Sequence, residues 1–513
     1  MGFIRRKLSN FIIGKFADKG PLPGRYSAGG DGTADLHEIL DKKHFALEVP
    51  RPSPDYINSL PDLAEVQALF QRPVGTPAPK SRASLLLPFV AQHLTDAVFQ
   101  SKPGYATDAS HEIILNQVYG NTADDTAMLR ASAGGKMKTQ VCMLNGSQSE
   151  FPPALCEQVD GSWLVKPEFS GLSYLQTPGN EQKLRDKYIG KEDKLCAVGL
   201  IQGNLTVGNF ALTTILLREH NRLADGIAAE LGFTDDTSKE ANDTIFRIAQ
   251  QNNIVGYMKI VIEDYINTFA GRRLFEMDIK KFFYEAKRWC RESPIPYHFN
   301  ALYRIHSMIP DTLVVGGADL GFAGFLANND VVMAEGLGEV FQSASAQAAS
   351  EIRLGNTHTG LMQAELDTLR KARGVLGSLN AHREVNKKGS SLKFSDFDPK
   401  YRDEIERLYG NVDKVEYYVG VFAELPKRGL LEKIGFKANP IIGATLLDAI
   451  AKHAFRHILS NRYMTREFLN KEVMTKFGWD SLNNTSSVAD LVKRNVPELG
   501  SAANDLLIGF KTP

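Results

Sequence analysis

The chain has 513 residues, enough for one large core or two to four domains, and its 43% hydrophobic and 23% charged content is that of a soluble globular protein. Sixty Lys and Arg balance sixty Asp and Glu, so no global field points to nucleic acid, and no zinc-finger or RNA-binding signature occurs. Cys142, Cys156, Cys196 and Cys290 are scattered and form no CxxC pair, which argues against a metal knuckle or disulfide scaffold and fits a reducing, cytoplasmic setting.

The N-terminus reads MGFIRRKLSNFIIGKF. Its apolar run FIIG is too short for a signal peptide, no stretch is long enough for a transmembrane helix, and Arg6 stands where a myristoylation motif needs Ser or Thr. Phe3, Ile4, Leu8, Phe11, Ile12 and Phe16 form one apolar flank beside Arg5, Arg6, Lys7 and Lys15. Residues 1–17 therefore read as an amphipathic helix, either peripheral at a membrane surface or docked on its own domain or a partner. Residues 18–84 are rich in Pro and Gly and read as an extended arm with one short helix, DLAEVQALFQ.

From 85 to 513 the pattern is mainly helical, with no solenoid repeat and few alternating strands. PFVAQHLTDAVFQ, residues 88–100, places Phe89, Val90, Leu94, Ala97 and Val98 at helical spacing, with Gln92 and Asp96 stacked four apart. That polar pair is either a satisfied core network or the wall of a reactive pocket. A short hairpin is expected across Gly134-Gly135 within residues 131–153. NFALTTILLREHNRLADGIAAEL predicts a long helix stopped by Gly232. In HFNALYRIHSMIPD a helix would put Tyr303 and His306 three apart on one side. A neutral imidazole is a natural ligand for haem iron, although a lone His on such a helix is more often a hydrogen-bonded core residue. Residues 384–400 read as a polar connection between helical regions.

FNALYRIHSMIPD resembles the proximal helix of cyclooxygenases, α-dioxygenases and related fatty-acid dioxygenases of the animal haem peroxidase superfamily: Tyr303, His306, Pro310 and Asp311 match its Tyr-x-x-His and Pro-Asp. FVAQHLTDAVFQ, LLREHNRLAD, KIVIEDYI and ERLYGNVDKVEYYVGVFAE resemble further family segments in the same order, and the C-terminal NRYMTREF region looks nearest to α-dioxygenases. The resemblance spans about residues 55–500. It implies a mainly α, single helical domain of the haem peroxidase type over residues 85–513, holding one haem b with His306 as its axial ligand. Tyr303 matches the radical tyrosine that takes hydrogen from a bound fatty acid before O₂ adds, giving a hydroperoxide or endoperoxide.

The same resemblance makes 88–100 the roof of the haem pocket. Gln92 matches the family's peroxide-holding glutamine, and Asp96 stands where the family has its proton-transferring histidine. Three readings stay open. Asp96 is the acid–base group, His93 substitutes by a distortion of the helix, or peroxide activation is weakened while haem binding persists. Tyr418 matches a tyrosine that supports the proximal histidine. Arg456, His457 and Arg462 are the candidates for anchoring a substrate carboxylate, the register favouring His457. Ala97 stands where calcium-binding relatives have Asp, so no calcium site is expected. Glu219, His220 and Asn221 are expected to be structural. The expected partners are a fatty acid, O₂ and peroxide. The rival functions are a peroxidase or peroxygenase on another substrate, and a catalytically weakened haem-binding protein.

Overall fold

The computed structural model describes residues 2–19, 45–102, 107, 112–144, 146–280, 283–287, 290, 294–386, 391–426 and 439–509, with side chains from residue 7 onward. The framework is helical. The elements that position the site are α1 (Gly2–Asp18), α2 (Leu86–Phe99), α3 (Val207–Leu231), α4 (Lys239–Ile260), α5 (Tyr297–Leu302), α6 (Met362–Arg373), α7 (Tyr417–Ala423) and α8 (Ala444–Leu459). Strands among the described residues occur only as small antiparallel pairs, such as Lys80–Ser84 with Ala348–Ser350.

The long helices begin and end where local chemistry requires. Thr206 caps α3 by accepting from the Asn209 amide, and Gly232, at φ 71°, closes it. Ser238 caps α4 in the same way. After Ile260 the ladder widens into a π turn over Val261–Tyr265, then resumes until Gly271 at φ 65°. Such a turn inserts a residue and re-aims the side chains after it. Tyr265 stands at that turn, fully buried.

Helix α2 is apolar almost throughout, which suits a helix buried on most of its circumference. It packs closely on α3. A Cβ at Gly208 would collide with the Phe89 ring, so the crossing requires glycine.

The N-terminal helix is docked on its own domain over its second half. Ile13 and Ala17 are fully buried, and Arg456 Nε donates to the Ala17 carbonyl at 2.7 Å. Leu8 and Phe11 remain exposed. No helix among the described residues is long and apolar enough to cross a membrane. Much of the expected arm lies outside the described residues. Its described part carries two short helices, Pro54–Asn58 and Leu63–Ala68, rather than one. Ala46 then pairs with the backbone flanking Pro296, laying the arm beside the start of α5.

The expected hairpin is displaced. Around Gly134-Gly135 there is only a single bridge between Arg130 and Met137, because Gly135 is pressed against Ile245 and Phe246. The true hairpin pairs Gln140–Leu144 with Ser147–Phe151 and turns through Gly146 at φ 80°.

Gly208→Ala should destabilise the protein by about 1–3 kcal/mol through overpacking against Phe89. Urea unfolding followed by circular dichroism measures it.

Candidate active site

The sequence puts Tyr303 and His306 on one helix, and the structure corrects this. Helix α5 ends at Leu302, Tyr303 caps it, and Ile305 (φ −86°, ψ 58°) leaves the helical region before a new turn starts at His306. The break is stabilised from outside. The Tyr418 hydroxyl, on α7, lies 2.8 Å from the Arg304 carbonyl and 2.7 Å from Oε1 of Glu365, both acceptors. Downstream, Asp311 accepts from Arg72 and from the Ala78 amide, which ties the turn to the end of the arm.

Glu365, in the first turn of α6, completes the arrangement. Its Oε2 accepts from Nδ1 of His306 at 2.9 Å and from Thr357 Oγ1 at 3.2 Å. Because the carboxylate can only accept, the ring proton belongs on Nδ1, and Nε2 keeps its lone pair. His306 lines a cavity of about 230 Å³, so that lone pair serves the cavity. Tyr418 therefore supports the histidine through Glu365, a residue that sequence reasoning missed.

Gln92 and Asp96, from α2, line the same cavity, as do Tyr303, Arg304 and Gly208. Phe322, Phe325, Leu326 and Ile309 give it apolar walls. Thr206 Oγ1 donates to Gln92 Oε1 at 3.1 Å, fixing the amide so that its NH₂ group is left to donate. Asn209 Nδ2 donates to Asp96 Oδ2 at 2.7 Å and to the Gln202 carbonyl at 3.2 Å. Asp96 keeps some exposure on the cavity it lines and is otherwise enclosed by protein. That burial raises its pKa to about 6, against the opposing pull of the Asn209 hydrogen bond, the Arg304 charge and Gln92.

His93 is turned away. It is fully buried, its Nδ1 is 3.0 Å from the Tyr257 hydroxyl, and burial depresses its pKa to about 3. It does not line the cavity, so substitution for the missing distal histidine has no geometric basis.

Tyr303 has a second neighbourhood. It also lines a narrow apolar crevice with Leu94, Val98, Phe99, Val261, Phe299 and His457. Burial raises its phenol pKa well above the usual value, so it is protonated at neutral pH. The hydroxyls of Tyr303 and Tyr265 are both buried and close enough for each to perturb the other's ionisation. Of the three carboxylate-anchor candidates only His457 reaches this crevice. Arg456 is buried against the end of α1, and Arg462, largely exposed, pairs with Glu112 through Nε at 2.7 Å.

The LREHNR segment is structural. Glu219 pairs with Arg222 and Arg494, His220 bonds Tyr119 and the Gly135 carbonyl, and Asn221 bonds the Met137 backbone.

The residues suit a haem. A histidine with its second nitrogen anchored faces a largely apolar cavity, and an amide and a near-neutral carboxyl share that cavity. Fold and cavity together define a helical protein with a histidine-walled prosthetic-group site. The chain belongs to the animal haem peroxidase family, whose model matches residues 72–506, and members of this family bind haem iron. It is 27% identical to prostaglandin G/H synthase 2 of Gallus gallus over 80% of this chain, and spans 63% of that relative's length. It is 26% identical to prostaglandin G/H synthase 1 of Mus musculus, over 96% of this chain and 77% of that one. The fold is similar to that of fatty acid alpha-dioxygenase from Arabidopsis thaliana (TM-score 0.67, 14% identity, 99% of this chain and 88% of that one). It is also similar to peroxidase A from Dictyostelium discoideum (TM-score 0.61, 17% identity, 92% of each chain).

The Asp96 shift carries a stability prediction. The folded state holds this proton more tightly than the unfolded chain, so ionisation costs stability between pH 3.8 and about 6, and the full cost persists above that. Asp96→Asn should therefore raise the unfolding free energy by about 1–3 kcal/mol at pH 8. The gain should shrink at pH 4.5, read as the two urea midpoints.

Proposed function

We propose that this protein is a haem-dependent fatty-acid dioxygenase in which Tyr303 carries the radical. The observation behind this reading is the position of Tyr303 on both the His306 cavity and the apolar crevice. Haem b, held there and supplied with a peroxide, would provide the one-electron oxidant. His306 would hold the iron through Nε2, with Glu365 fixing the tautomer and orientation of the ring.

Gln92 would hold the peroxide by donating its amide N–H. Asp96, as carboxylate, would take the proton from the near peroxide oxygen and return it to the far one. A group titrating near 6 suits that task, because it is mostly ionised at neutral pH yet gives its proton back readily. The Tyr303 phenol would give an electron and a proton to that oxidant, and the phenoxyl would take a hydrogen atom from a fatty-acid carbon in the crevice. O₂ would add to the carbon radical, and the resulting peroxyl would take a hydrogen atom back from the Tyr303 phenol, giving the hydroperoxide and restoring the phenoxyl. The crevice walls exclude water from that radical, and His457 is the polar group there that could meet a carboxylate.

The narrowness of the crevice, about 10 Å³, favours a second reading. In it a smaller substrate is oxidised in the cavity itself, and the protein is a peroxidase or peroxygenase.

An oxygen electrode with C16–C20 fatty acids and a trace of peroxide separates the two, with product mass spectrometry assigning the oxidised carbon. O₂ uptake should fall at least about 100-fold in Tyr303→Phe, while peroxide consumption persists. Uptake unchanged in Tyr303→Phe rules out the radical role. Asp96→Asn should slow peroxide cleavage about 10–100-fold, and the wild-type rate should rise with pH through about 6 as the carboxylate ionises.

A further inference from the structure

A second concentration of buried polar groups lies outside this cavity. Glu48 follows the stretch of arm that pairs beside Pro296, His298 sits in the first turn of α5, and His453 is on α8. His298 Nε2 is 3.0 Å from His453 Nε2 and 3.4 Å from Oε2 of Glu48, and His453 Nε2 is 3.4 Å from Oε1 of Glu48. All three side chains are buried. Donor atoms at the corners of a tetrahedron around a cation bonded at about 2.0–2.1 Å are separated by about 3.3 Å. The three separations fall on either side of that edge.

Protein atoms alone do not complete this network. His382, buried and tilted against Tyr417 with ring centroids 4.1 Å apart, has no hydrogen-bond partner at either nitrogen, and Nδ1 of His298 has none. Buried polar groups are seldom left so.

We propose that Glu48, His298 and His453 form a divalent-cation site of the zinc class, with hydroxide or water in the fourth position. Lys452 is the competitor. Its Nζ lies 3.2 and 3.1 Å from the two Glu48 oxygens and 2.6 Å from Asn386 Oδ1. Metal entry would leave Lys452 on Asn386 alone, and a bound hydroxide would offset the added positive charge. The cation would join the arm, α5 and α8. Helix α5 runs from His298 to the Tyr303 cap, and His457 stands one turn after His453 on the crevice wall. The site would therefore act as a structural staple beneath the radical tyrosine. The rival is a proton-only network, in which one imidazole donates to the other and Lys452 neutralises Glu48.

The test uses the full-length protein, produced with zinc supplied and then desalted. Elemental analysis should find about one zinc per chain, and crystals should show an anomalous peak at the zinc edge between the three residues. His453→Ala, with an unchanged circular dichroism spectrum, should lower zinc retention at least about tenfold. Lys452→Met should retain zinc as well as or better than wild type, because it removes the competing charge. Wild type with no anomalous peak at this position overturns the proposal whether or not the variants fold. So does a Lys452→Met protein that folds but holds no zinc, or a folded His453→Ala protein that holds as much as wild type.

Discussion

One carboxylate, Glu365, sets the geometry on which the cavity depends. It fixes the proton of His306 on Nδ1, receives the Tyr418 hydroxyl on its other oxygen, and is steadied by Thr357. The chain has to leave α5 at Tyr303 for His306 to reach this carboxylate. The carbonyl freed by that break, on Arg304, finds the same Tyr418 hydroxyl. A helix end, an imidazole orientation and a tautomer thus share one buried hydrogen-bonded group. Losing it would leave several polar atoms unpaired at once.

Across the cavity the constraint is steric. Gly208 lets α3 approach the Phe89 ring on α2, and the same stretch of α3 brings Thr206 and Asn209 against Gln92 and Asp96. In the proposed function Asp96 would do the work that the resemblance gives to a histidine, without copying its chemistry. An imidazole near neutrality needs little help, whereas a carboxylate reaches the same range only by burial. The Asn209 bond and the Arg304 charge keep that shift moderate. The difference between a bystander aspartate and a working one lies in that enclosure.

Much of this was legible in the sequence, because it is local. Spacing placed Gln92 and Asp96 on one face of α2, and Gly232 marked the end of α3. Ordered motifs led to His306 and Tyr303. The partners that make them work were not legible. Glu365 lies 59 residues from His306, in a first turn that reads as ordinary helix, and only the tertiary fold joins them. The helix break at Tyr303 was hidden for the same reason, since no glycine or proline marks it and a distant hydroxyl stabilises it. The hairpin was misplaced because two glycines look like a turn wherever they occur. At Gly134-Gly135 they serve close packing on Ile245, while the alternating pattern that builds strands lies further on. Among the three candidate anchors the register favoured His457 without deciding, and burial separated them. Arg456 holds α1, Arg462 faces out to Glu112, and His457 faces the crevice.

His306 is the proposed iron ligand, and the whole proximal arrangement would serve it. The direct measurement is the absorption spectrum of haem-loaded wild type and His306→Ala, with and without added imidazole. The predicted result is a histidine-ligated Soret band in wild type, its loss or shift in His306→Ala, and its recovery when imidazole fills the vacated place. A His306→Ala spectrum identical to wild type, unaltered by imidazole, would contradict the account.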